Sequence, residues 1–186
     1  MTTLATPYKY SQGYITYQLP MLPGLPDQVQ VAGRTYRIKD ELHVSLVKVL
    51  PATDQIAERD HLTLEAAEEV TSAVCFAGIS KVKPEFDHYL NDVRLVDQPK
   101  RDRHTIVVMA KVTGLADFFD EINHELKLDL PVQVPHVSLF LENDLPIGIT
   151  SPEALRKLTK PLTGADRAEF TRQVDPQKVF GWSAFK

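Results

Sequence analysis

His43-Val44-Ser45-Leu46-Val47-Lys48-Val49-Leu50 and His136-Val137-Ser138-Leu139-Phe140-Leu141 decide how this chain is read. Both open on the tetrapeptide His-Val-Ser-Leu, and both are short, apolar and β-branched, the make-up of a strand. Side chains on a strand alternate between two faces. His43 and Ser45 therefore share one face, while Val44 and Leu46 turn to an apolar side. His136 and Ser138 repeat the arrangement against Val137 and Leu139. Laid side by side, the two strands would bring two imidazoles and two hydroxyls onto one surface.

Strand and helix signals alternate outward from these stretches. Residues 13–20 are β-branched and aromatic and read as a strand. Residues 19–26 carry Pro20, Pro23 and Pro26 and read as a loop, because proline cannot donate to a sheet ladder. Residues 29–39 look like a hairpin turning near Gly33. Apolar Leu62, Leu64, Ala67, Val70, Val74 and Ala77 predict a helix over 62–77, with Glu65, Glu68 and Glu69 mostly off the stripe. Two strands are expected around 89–96 and 105–112, joined by the polar run 97–103. A second amphipathic helix is expected over 115–126. Ser151 as N-cap and Pro152 in the first turn predict another helix start. Residues 168–174 read as a last strand. Each half thus carries strand and helix material and one His-Val-Ser-Leu strand, a single coarse duplication that fits no solenoid period. Without a linker long enough to divide it, a chain of 186 residues reads as one domain, 1–186, of two similar lobes.

Composition narrows the function classes. Hydrophobic residues make up 43% and charged residues 25%, ordinary for a soluble globular protein. The net charge of −4 argues against coating long nucleic acids, though not against a nucleotide or an RNA end. With one cysteine, Cys75, a disulfide within the chain is impossible and a cysteine-based zinc site is disfavoured. Cys75 sits in an apolar run and reads as a small buried hydrophobe. The first residues lack a basic segment followed by an apolar run, and no stretch approaches membrane-spanning length. A cytoplasmic protein that does not enter membranes is expected.

Histidine titrates near pH 6.5, so one neutral imidazole can deprotonate a nucleophile while an imidazolium protonates a leaving oxygen. Such help is worth roughly 10²–10⁴-fold per positioned group. Serine hydroxyls can donate to phosphoryl oxygens. His43 and His136 are therefore the candidate catalytic pair, and Ser45 and Ser138 the candidate phosphate-binding pair, in chemistry that needs no metal or cofactor. A lone histidine on a half-buried strand is usually a satisfied structural residue; two copies in equivalent strands reverse that preference.

Paired His-x-Ser/Thr-hydrophobic motifs, one in each half of a chain of this size, resemble the two-histidine (2H) phosphoesterase superfamily, which includes bacterial RNA 2′,3′-cyclic phosphodiesterases. The resemblance covers roughly residues 13–141. It implies a bilobal α+β fold, with two antiparallel sheets related by a pseudo-twofold axis, helices outside and a central cleft. It also implies hydrolysis without a cofactor, through His43 and His136 with Ser45 and Ser138. Where the family often has threonine, both hydroxyls here are serine, which conserves the donor. The proline-rich segment and the 29–39 hairpin replace the helix expected after the first strand, so the substrate is the more open question.

A ribonucleotide 2′,3′-cyclic phosphate is the leading substrate. Alternatives with the same site are 2′–5′-linked or cyclic oligonucleotide signals and nucleotide-sugar cyclic phosphates. An alternative of another class is a module that binds RNA ends or nucleotides without turnover. A monomer is expected. Phe140 shares a face with His136 by alternation and is a candidate for stacking on a base, with a core aromatic as the competing reading. Tyr89 and Trp182 are further candidates to line the cleft. Arg103 and Arg101 suit phosphate contact, although a solvated connection accounts for both. His61, His88, His104 and His124 read as surface or capping residues.

Overall fold

The computed structural model describes residues 7–98, 102–143 and 149–183. Its described residues form a mixed α+β chain with strands β1 (Tyr8–Ser11), β2 (Tyr14–Leu19), β3 (Gln28–Val31), β4 (Arg34–Ile38), β5 (Leu42–Lys48), β6 (Glu85–Gln98), β7 (Arg103–Thr113), β8 (His136–Leu141) and β9 (Thr159–Pro161). The helices are α1 (Leu50–Asp60), α2 (Leu64–Val82), α3 (Leu115–Leu126), α4 (Pro152–Leu158), α5 (Gly164–Gln173) and α6 (Pro176–Phe180). The strands hydrogen-bond in the order β1-β2-β5-β8-β7-β6-β9, with β4 also on β8 and β3 on β4. The sheet is antiparallel.

The chain separates into two compact units, but they are not its N- and C-terminal halves. One consists of Met1–Tyr17, Ser45–Asp87 and Val112–Gln133, the other of Gln18–Val44, His88–Lys111 and Val134–Lys186. Both motif histidines thus belong to the second unit, where one motif in each half had been expected.

In the first unit, α1, α2 and α3 close on a core that includes Ile15, Leu46, Val49, Ile56, Ala67, Cys75, Ile79, Phe118, Ile122 and Leu126. The α3 helix runs over the expected residues. The α2 helix is longer than its stripe suggested, starts where Thr63 Oγ1 accepts from Ala66 N at 3.3 Å, and ends at Lys83 in the left-handed region. Pro84 then prevents it from continuing. The α1 helix starts where the end of a strand was expected: Pro51 stands in its first turn, and only Ala52, Thr53 and Ile56 are buried, too short a stripe to register as periodicity. Cys75 is fully buried, which pushes its thiol up to about 12, so it packs as a small hydrophobe.

The second unit contains the 29–39 hairpin. Its two-residue turn puts Ala32 at φ 53° and Gly33 at φ 73°, as a type I′ turn requires. The segment 168–174, expected to be a strand, lies mostly in helix α5. Ala165, Arg167, Ala168, Glu169 and Gln173 favour helix, and the single buried anchor Phe170 gives no alternation. The helix covers the open edge of β3: Gln173 accepts from Gln30 N at 2.8 Å and donates to Gln30 O at 2.7 Å, and Glu169 accepts from Ala32 N. The Ser151 cap is as expected, accepting from Ala154 N at 3.1 Å ahead of Pro152.

Helices α2 and α3 approach closely at Gly78, where an added Cβ would lie 3.0 Å from Ile122 Cγ2 and 3.3 Å from the Phe118 ring. Overpacking such a site costs about 1–3 kcal/mol. Gly78→Leu should lower the midpoint of thermal unfolding by several degrees, measured by circular dichroism. An unchanged midpoint would mean that the contact is not tight.

Candidate active site

Strands β5 and β8 are antiparallel neighbours with Val44 opposite Val137. Continued by one residue, that register sets His43 opposite Ser138. Opposed residues share a face, so His43, Ser138 and, two residues along β8, His136 stand on one side of the sheet. Val44 and Val137 are fully buried on the other side. Diagonal neighbours of this kind lie roughly 7–8 Å apart, with their Cβ atoms somewhat closer, a span that two imidazoles can fill with a phosphorus between them. Ser45 is the next residue of β5 after Val44, is half-buried, and belongs to the first unit.

The two imidazoles differ in environment. His43 is half-buried, whereas His136 is 6% exposed and Ser138 8% exposed. His136 Nδ1 lies 2.8 Å from the carbonyl oxygen of Val134. A carbonyl only accepts, so Nδ1 carries the hydrogen and Nε2 keeps its lone pair in the neutral ring. Burial pushes His136 below the ordinary histidine value; the Val134 carbonyl opposes this and the charge of Lys39 adds to it. His136 is thus held as a neutral imidazole with a fixed tautomer. On the other edge of β8, Met109 of β7 pairs with His136 and Val107 with Ser138.

Lys39, which sequence reasoning missed, enters the same site. Its Nζ lies 3.3 Å from Nδ1 and 3.2 Å from Nε2 of His43. Burial lowers its ammonium from the ordinary lysine value to about 8, with the charge of Glu41 acting in the opposite direction. The available signal was its position four residues before His43, at the end of the hairpin, but a lysine there also reads as a solvated strand end.

The remaining candidates separate from the motif. Phe140 is fully buried and meets Phe170 edge to face at 6.4 Å, so it is a core aromatic with no face left for a base. Tyr89, on β6, packs its ring on Phe180 at 5.4 Å, and its carbonyl accepts from Trp182 Nε1 at 3.1 Å. Trp182 in turn stacks on Phe180 at 4.4 Å. These three aromatics form a structural cluster. Arg103 begins β7, four residues before Val107, which is about 13 Å of strand away from the position opposite Ser138. Arg101 lies outside the described residues.

Of the other histidines, His61 caps α1 in the left-handed region, and His88 and His124 are exposed. His104 is a correction to the surface reading. It is 5% exposed, with Asp97 at 3.1 Å, Asp102 at 3.4 Å and Glu142 at 3.6 Å. Three carboxylates surround this one buried imidazole at the β6–β7 connection, which a lone histidine in a polar run does not disclose. Among the described residues, no group of three His, Cys, Asp or Glu side chains is arranged to hold a metal ion, and no helix is long and apolar enough to cross a membrane.

Neither a protein-family model, nor a curated protein, nor a solved structure matches this chain, so its own geometry carries the functional argument.

Proposed function

We propose that this chain is a two-histidine phosphodiesterase that hydrolyses a ribonucleotide 2′,3′-cyclic phosphate. The observation that carries the reading is the pairing of Val44 with Val137, a register that, continued by one residue, sets Ser138 opposite His43 and leaves His136 on the same face. His136 is the general base: its Nδ1–H is engaged by Val134, and its Nε2 lone pair takes a proton from water. The water oxygen forms the new bond to phosphorus as the bond to one ribose oxygen breaks. His43, protonated, gives its proton to that departing oxygen. The products are a phosphomonoester and a free ribose hydroxyl, and solvent exchange returns both rings to their starting states. Ser138 donates to the phosphoryl oxygens as negative charge builds on them. The step asks for no metal.

The test is hydrolysis of 2′,3′-cyclic mononucleotides and short cyclic-phosphate RNAs in excess chelator. The chelator should leave the rate unchanged. His43→Ala and His136→Ala should each lower kcat by roughly 10²–10⁴-fold, and His136→Gln serves as a second variant that fills the buried site. Loss of activity in chelator, or full activity in the histidine variants, would overturn the mechanism.

The pH profile gives an independent check. A base works only when neutral, and the fold holds His136 below the ordinary 6.5. The rising limb of kcat/KM should therefore have its midpoint below pH 6.5 and should vanish in His136→Gln. A midpoint above 6.5 would contradict the assignment of His136 as base.

A further inference from the structure

We propose that Lys39 is the cation that clamps the phosphoryl group at the His43/His136 site. This rests on the phosphodiesterase reading for its substrate, a phosphodiester monoanion, but not for its geometry.

The backbone explains how a lysine from a neighbouring hairpin arrives there. Strand β4 pairs with β8 at Ile38 opposite Phe140, and β5 pairs with β8 at Val44 opposite Val137. Both lie on the same edge of β8, because β7 occupies the other. Between those two pairs the β4–β5 segment has five residues where β8 has two. The surplus forms a wide bulge around Lys39, Asp40 and Glu41, pinned at its start by Lys39 N donating to Leu139 O at 2.9 Å. Bulges re-aim side chains, and they concentrate beside active sites. Strand alternation stops at Ile38, so the Lys39 side chain is free of the β4 pattern and turns to His43.

The contact has the character of a charge beside a ring. Nζ is nearly equidistant from both ring nitrogens of His43, at 3.3 and 3.2 Å, so it is not committed to one in-plane hydrogen bond. Its charge also reaches His136. The register of β5 on β8, continued by one residue, sets Ser138 opposite His43. An ammonium and two proton-carrying imidazoles therefore share one small region. Protonating His43 there for the acid role adds a second positive charge, which is unfavourable until an anion arrives. A phosphodiester brings the compensating charge, and the ammonium offers three donors to its two non-bridging oxygens. Burial also opposes the ammonium, so Lys39 is held charged at a cost to stability, a pattern expected of a residue kept for its site rather than for the fold.

The experiment compares Lys39→Met and Lys39→Arg with the parent protein. Three quantities are measured: thermal midpoint at pH 7, affinity for adenosine 2′-monophosphate by calorimetry, and kcat and KM on 2′,3′-cyclic AMP. Lys39→Met should keep or raise the thermal midpoint, because it removes a charge that the fold partly buries. It should weaken nucleotide binding and raise KM by roughly tenfold to a hundredfold, the loss of one charge-assisted hydrogen bond. Lys39→Arg, which keeps the charge, should recover part of the affinity and answers the question if the methionine variant proves unstable. Parent-like binding and KM in a folded Lys39→Met would overturn the clamp. If the parent hydrolyses no cyclic phosphate yet loses nucleotide affinity on Lys39→Met, the clamp stands and the phosphodiesterase reading falls.

Discussion

The site depends on one backbone pairing, the antiparallel match of β5 with β8 at Val44 and Val137. A slip of one residue would turn every side chain of one strand to the other face. His136 and Ser138 would then enter the apolar layer, and Val137 would face the site. The fully buried Val44, Val137 and Leu139 hold the register because each would lose its apolar surroundings in the slipped pairing. The polar face is positioned by the apolar one.

The same pairing makes the two motifs unequal in spite of their identical letters. β8 is flanked on both edges, by β7 on one and by β4 and β5 on the other, and every one of its residues is buried. β5 alternates between buried and half-buried positions over Leu42–Leu46. His136 consequently loses water, takes up the Val134 carbonyl and is held neutral, while His43 keeps part of its exposure beside Lys39. Two titratable groups in different surroundings are what acid–base division of labour requires. The bulge that carries Lys39 arises because two strands share one edge of β8 in different registers.

Much of this was legible in the sequence where a strong local pattern existed. His136–Leu141 and Leu115–Leu126 are strand and helix over the expected residues, since alternation and a helical stripe there have no competitor. The hairpin turn at Gly33 was legible from glycine chemistry. Helix α1 and the helix at 164–173 were not, because each buries few residues and leaves no period to find. Of the site, the shared face of each His-Ser pair followed from strand alternation alone. Lys39 was hidden because its place depends on a bulge, a long-range feature of pairing. Phe140 was misplaced as a stacking candidate because alternation gives a face but not the depth, and Phe170 covers it. His104 shows the same limit: its three carboxylates come from separate points of the chain.

The most direct test is a crystal structure of the protein with a nucleoside 2′-monophosphate bound. The account predicts the phosphorus between the His43 and His136 rings, with His136 Nε2 facing it and the Val134 carbonyl still on Nδ1. Rings turned to opposite faces of the sheet, or a phosphate bound away from both, would contradict it.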